Sequence, residues 1–319
     1  MMIVEFQGGL GNQMFQYAFY KALKTKYPSV KIKADLSNYE RYKYHYGFEI
    51  LRIFNINIDI ATKWECIKFD RKIRLFNHQG FIKKALNKIW FILFPIISKC
   101  IKSQFVYINQ WEEPSKYDPE CFNLDIKNDY YLSGYWQNEL YFLNIKDTLI
   151  SDFQFNESFN HSIIIDMANC ESVSIHIRRG DYINSSFDVL TMDYYKRAIN
   201  YISSNINTPF FYIFSDDINY AKKAFDFLTN KYFISENQGD NSYKDMLFMS
   251  KCKHNIIANS SFSFWGAYLN RNKNKIIIAP DVHFKETKNY LYCIDWIIID
   301  CKLAACNPHT LHRLTVCLP

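Results

Sequence analysis

Val173-Ser174-Ile175-His176-Ile177-Arg178-Arg179-Gly180-Asp181 sets the pattern for the second half of the chain. Residues 173–177 read as a strand, and a polar, glycine-containing turn ends it. Strand-like runs recur at 210–214, 231–234, 254–258 and 275–279. Helical runs lie between them at 192–203, 219–229, 242–250 and 262–269. Alternation of this kind predicts a doubly wound parallel sheet, whose ligands sit outside the carboxyl ends of the strands.

The same rhythm opens the chain. Residues 2–6 read as a strand, Gly8-Gly9-Leu10-Gly11 as a turn, and Met14, Phe15, Ala18, Phe19, Ala22 and Leu23 recur at helical spacing. Residues 30–34 then read as a second strand, completing a βαβ unit. The length of 319 residues suits two domains. The expected division is an N-terminal Rossmann-like domain over 1–155, with an insertion at about 63–102, and a C-terminal one over 156–300. Residues 301–319 are expected to stand outside the fold, because Lys302-Leu303-Ala304-Ala305 looks like a vector-derived remnant and no clear period follows.

Composition excludes several classes. Apolar residues make up 49% and charged residues 22%, which is neither disordered nor fibrous. Nine scattered cysteines, odd in number and without a Cys-x-x-Cys pair, fit reduced thiols better than a disulfide framework or a zinc site. Met1 and Met2 run straight into Ile3-Val4-Glu5-Phe6, so no secretory leader is expected. The apolar run at 89–98 is broken by Pro95 and too short to span a bilayer. A cytoplasmic location follows as the expectation. Residues 63–102 hold ten Lys or Arg and two acidic residues, a local +8 within a formal charge of +6. Such a basic, amphipathic stretch suits peripheral contact with the inner face of the membrane, a lipid-diphosphate-linked acceptor, or a helical insertion docked on its own domain. The sequence leaves those three open, and it carries no nucleic-acid-binding motif.

Chemistry-bearing residues collect where strands end. Alternation sends His176 and Arg178 to one side of an extended chain. A guanidinium there can grip two phosphate oxygens, and Asp181 could orient it. A surface turn with Arg178 in a structural ion pair reads from the same residues. Asn259-Ser260-Ser261-Phe262-Ser263 passes from strand to helix, offering hydroxyls and free N–H groups to an anion, or merely a capped helix. Gly8-Gly9-Leu10-Gly11-Asn12-Gln13 is neither a dinucleotide fingerprint nor a P-loop; what remains is close backbone approach to a ligand, with Asn12 and Gln13 offering amides. Asp216 ends the strand at 210–214, and Asp245 falls early in the helix at 242–250. Neither Asp-x-Asp nor His-Glu-x-x-His occurs, so a metal-bridged diphosphate has no support and Arg178 would take the metal's role.

Four of these segments, in order, are similar to the bacterial α1,2-fucosyltransferases of glycosyltransferase family 11. They are Gly8 to Gln13, His176 to Tyr182, Phe214-Ser215-Asp216-Asp217, and Ile257 to Trp265, where Phe264 stands in place of a common Trp. The resemblance runs from Gly8 to about Trp296. It implies a GT-B fold, two Rossmann-like domains facing across a cleft, with no cofactor and no metal. It implies inverting transfer of L-fucose from GDP-β-L-fucose to a galactose 2-hydroxyl of a β-galactoside glycan, as in O-antigen synthesis. Arg178 would hold the β-phosphate, His176 would lie by the nucleoside and Asp245 would read guanine. Asp216, Ser260, Ser261, Phe262 and Ser263 would line the donor, with Asn12 reaching it from the other domain. Tyr135, Trp136 and Gln137 would face the acceptor. Asp181 and Asp188 are both candidates for the general base. Another acceptor sugar, or a nucleotide-sugar binder without catalysis, are the alternatives.

Overall fold

The computed structural model describes residues 1–41, 46–67, 105–155, 162–285, 291–301 and 311–312. The chain divides into two compact units, Met1–Arg52 with Ile56–Leu149, and Ile53–Asn55 with Ile150–Pro319.

The first unit is an α/β unit on a four-stranded parallel sheet. Strand β1 (Met2–Glu5) enters helix α1 (Leu10–Lys26), which returns to β2 (Ile32–Asp35). Strands β3 (Phe105–Gln110) and β4 (Asp129–Gly134) complete the order β2-β1-β4-β3. The expected apolar positions of α1 are all buried, and Lys24 and Lys26 oppose the negative end of its dipole. Gln13 and Gln16 are buried among them with every amide group bonded. Gln13 donates to the carbonyls of Gly8 and Gly47 at 3.0 and 2.8 Å and accepts from the N–H groups of Glu49 and Ile50. Gln16 accepts from the Gln7 N–H at 3.0 Å and donates to the Gly134 carbonyl at 3.1 Å. Each glutamine thus fixes a loop at the carboxyl edge of the sheet. Of the basic stretch, a single-turn helix (Lys63–Ile67) is described and residues 68–102 lie outside the described residues.

The second unit holds a seven-stranded sheet in the order β11-β10-β9-β8-β5-β6-β7. Its strands are β5 (Glu171–Ile177), β6 (Pro209–Ser215), β7 (Lys231–Ile234), β8 (His254–Ile256), β9 (Ile277–Pro280), β10 (Ile297–Ile299) and β11 (Leu311–His312). All pair in parallel except β10 with β11. Its helices include α2 (Ser162–Asn169), which leads into β5, then α3 (Met192–Asn205), α4 (Ile218–Ala224), α5 (Tyr243–Lys251) and α6 (Ser261–Tyr268) between the strands.

Central β5 shows how sequence fixes both faces. Val173, Ile175 and Ile177 are buried in one core cluster with Tyr194, Ala198 and Ile202 of α3. Ser172, Ser174 and His176 point the other way and are also buried. Around Ser174 that polar face is satisfied internally. Asn255 donates to Ser174 Oγ at 2.7 Å and to the Met249 carbonyl at 2.8 Å, while Asn270 donates to Asn255 Oδ1 at 2.7 Å. The chain runs β5, β6, β7 outward, then returns to place β8 on the other side of β5. The order therefore reverses between β5 and β8, where a doubly wound sheet opens a crevice at its carboxyl edge. Of residues 301–319, expected to stand outside the fold, Cys301, Leu311 and His312 are among the described residues, and Ile298 and Ile299 of β10 pair with His312 and Leu311.

Candidate active site

The loop leaving β5 carries two arginines with different surroundings. Arg178 places one guanidinium nitrogen 2.7 Å from Asp181 Oδ1 and the other 3.0 Å from Asp216 Oδ2, and remains 30% exposed. Arg179 is turned away. Its guanidinium lies 3.6 Å from the Tyr220 ring centroid and its Nε 3.4 Å from Asp217 Oδ2. Arg178 is thus a cation held by a fork of two carboxylates, ready to exchange one of them for a phosphate oxygen.

Asp216 shapes this loop as much as it could bind anything. Its Oδ1 accepts from the Arg179 backbone N–H at 2.9 Å while Oδ2 meets Arg178. A Cβ on Gly180 would stand 2.8 Å from Asp216 Oδ2, so glycine permits the approach. Asp217 caps α4, accepting from the Tyr220 N–H at 3.0 Å.

His176 is only 5% exposed, its ring tilted against Phe262 at 5.9 Å, and its Nδ1 has no hydrogen-bond partner among the described residues. Burial, with the nearby Arg178 charge, pushes its pKa down to about 3. It is therefore a neutral imidazole at physiological pH, able to donate or accept but not to balance phosphate charge.

Beyond β8, the serines divide. Ser260 caps α6, its Oγ accepting from the Phe262 N–H at 3.3 Å. Ser263 is fully buried and donates to the carbonyls of Ala258 and Ser260 at 3.4 and 3.3 Å. Their hydroxyls thus serve the helix start, whereas Ser261 and Phe262 are partly exposed. Asn259, which opens that motif and is given no role by the sequence, ties this edge together. Its side chain donates to the carbonyls of Phe187 and His283, and its carbonyl accepts from the Tyr182 hydroxyl at 3.3 Å. Burial pushes the Tyr182 hydroxyl up to about 12, so it stays a donor.

Asp245 lies in the first turn of α5, partly buried, and accepts from Asn237 Nδ2 at 2.8 Å. Burial, helped by the charge of Glu236, pushes its pKa up to about 7. Of the two base candidates, Asp181 engages Arg178, and Asp188 is exposed and accepts from the Asn184 N–H at 3.2 Å. Among the described residues no group of three or more His, Cys, Asp or Glu could hold a metal ion, and no helix is long and apolar enough to cross a membrane. A cavity of about 610 Å³, lined in part by Phe153, Leu247, Lys251 and Arg271, lies at the opposite, amino edge of β8 and shares none of these residues.

The first unit has its own reversal, between β1 and β4. There Gln137 donates to Asn12 Oδ1 at 2.9 Å. Gly8, at φ +82°, would carry a Cβ 2.7 Å from Asn12 Nδ2, so only glycine fits. Trp136 departs from the expected surface role. It is fully buried and stacks on Phe19 with ring centroids 4.1 Å apart. Its φ of +56° is unusual for a bulky residue, and it turns the indole back into the core while Tyr135 stays partly exposed.

Residues 1–300 match glycosyl transferase family 11. The chain belongs to that family. This family 11 glycosyltransferase is 34% identical to the α-1,2-colitosyltransferase of Escherichia coli over 315 residues, covering 94% of this chain and 99% of that one. It is equally 34% identical to the O-antigen biosynthesis glycosyltransferase WbnK of Escherichia coli, covering 91% and 97% of the two chains. A shorter match, 28% identical over 105 residues and 30% of this chain, is to galactoside α-(1,2)-fucosyltransferase 1 of Alouatta belzebul, of which it covers 28%. The four segments that carried the resemblance lie at the carboxyl ends of β1, β5, β6 and β8.

Proposed function

We propose that this glycosyltransferase moves L-fucose from GDP-β-L-fucose to the 2-hydroxyl of a galactose, with inversion, in assembly of a bacterial O-antigen. The observation that carries the reading is Arg178, held between two carboxylates yet 30% exposed at the reversal between β5 and β8. Diphosphate departure is the step that most needs charge stabilisation, and a preorganised guanidinium supplies it without a metal. His176, neutral, would hydrogen-bond the nucleoside side of the donor. Asp245, when ionised, would accept from the N1–H and exocyclic amine of guanine. Ser261 and Phe262 would complete the donor contacts. The galactose hydroxyl attacks the anomeric carbon from the face opposite GDP; its proton passes to a carboxylate, with Asp181 and Asp188 the candidates.

A second reading keeps every step but changes the sugar. The likeness to an α-1,2-colitosyltransferase favours GDP-colitose, in which the donor sugar lacks one ring hydroxyl of fucose. Parallel reactions with GDP-fucose and GDP-colitose and a β-galactoside, followed by mass spectrometry, separate the two. Faster transfer from GDP-fucose supports the first reading and faster transfer from GDP-colitose the second. Transfer from neither, with any galactoside tried, rejects both.

A further inference from the structure

Tyr182 closes the turn Gly180–Tyr182 that follows β5, and it reaches across the strand reversal to the segment that follows β8. Its hydroxyl donates to the Asn259 carbonyl at 3.3 Å. Its ring stacks on Phe187, with centroids 5.0 Å apart and planes 27° from parallel. The Phe187 carbonyl in turn accepts from Asn259 Nδ2 at 3.0 Å, and the same amide donates to the His283 carbonyl at 2.6 Å. Asn259 thus holds Tyr182 at two points, directly through the hydroxyl and indirectly through Phe187. The Arg178 guanidinium stands over the ring fixed in this way, its central carbon 5.6 Å from the ring centroid.

We propose that Tyr182 is a positioning residue for diphosphate binding, holding the Arg178 guanidinium with its ring and tied by Asn259 to the start of α6. The inference rests on the reading that Arg178 holds the donor diphosphate, and it adds what keeps that cation in place. Asp181 and Asp216 form a fork around Arg178, but a phosphate oxygen that displaces one of them removes part of that hold. An aromatic face attracts a guanidinium without carrying a charge that the incoming phosphate must meet, so its hold survives the exchange. A phenylalanine would stack on Phe187 equally well; the hydroxyl adds the tie across the reversal. Asn259 is followed by Ser260, the cap of α6, so the same tie sets the spacing between Arg178 and the helix start.

The test is a double-mutant cycle on GDP binding, measured by isothermal titration with thermal melting as a check of folding. Tyr182→Leu removes the aromatic face and should raise the Kd for GDP about five- to tenfold where Arg178 is present. In the Arg178→Ala background the same substitution should change Kd by less than about twofold, because the cation it acts through is gone. A residue that only shaped the fold would cost the same in both backgrounds. Tyr182→Phe keeps the ring and loses its tie to Asn259. Its Kd should rise about threefold, again only beside Arg178, and it decides the matter if Tyr182→Leu does not fold. An equal rise in both backgrounds, or no rise in a folded variant that retains Arg178, overturns the role. Failure of the wild-type enzyme to bind GDP would instead overturn the donor reading on which the role rests.

Discussion

The pH dependence of donor binding follows from one carboxylate. Asp245 is held partly out of water on α5, and its pKa is pushed up from 3.8 to about 7. As the proposed reader of guanine it must be ionised to accept two N–H donors. The folded pKa is raised, so the binding form predominates above about 7 and is lost as pH falls through that value. If only the ionised form binds, the apparent donor KM scales with the reciprocal of the ionised fraction. From about pH 8 to about pH 6 that fraction falls about tenfold, or about 1.4 kcal/mol of binding free energy. GDP-fucose is a diphosphate diester with no titration in this range, so the donor adds no slope. The assay is donor KM across that range at saturating galactoside, for wild-type enzyme and for Asp245→Asn. The wild-type curve should rise toward acid pH; the variant should bind weakly and show a flat curve. A wild-type KM constant to within twofold would refute the guanine-reading role. Removing the Asn237 donor, which lowers the Asp245 pKa, should move the rise to higher pH.

Arg178→Lys keeps the charge but loses the fork, and kcat should fall about a hundredfold or more, as on removal of an oxyanion donor; single-turnover kinetics within threefold of wild type would count against Arg178. Gly180→Ala drives a methyl group into Asp216 Oδ2 at 2.8 Å, so kcat/KM should drop about tenfold while helix content by circular dichroism is retained. Phe19→Ala removes the ring stacked on Trp136 and should destabilise the first unit by about 3–5 kcal/mol, read by urea denaturation.

The second sheet is legible because strands β5 to β9 are short, mostly apolar runs separated by helices. β7 falls at the expected residues, and β5 and β6 extend the expected runs by a residue or two at their ends. In the first unit β3 and β4 escaped notice. Phe105–Gln110 lies at the sheet edge with Tyr107 exposed, and Asp129–Gly134 mixes tyrosine with polar residues, so the apolar runs are only four and three residues long. At the site, Arg178 and Asp245 could be picked out because charge at the end of a strand or start of a helix is conspicuous. Gln13 read as a ligand amide, yet it is a buried brace, because sequence does not show which polar groups a loop will satisfy. Trp136 read as acceptor-facing for a similar reason: its left-handed backbone, which turns it inward, leaves no mark on the residue itself. Asn237 carries no signal, and Asn259 lies in a motif but shows no role there, since their partners come from distant segments or from an irregular loop.

The most direct test of the central claim is linkage analysis of the product formed from GDP-fucose and a β-galactoside in the presence of EDTA. The account predicts a fucosyl residue α-linked to the galactose 2-hydroxyl, formed at an undiminished rate with the chelator. A β linkage, attachment at another hydroxyl, or a rate abolished by EDTA and restored by a divalent cation would contradict it.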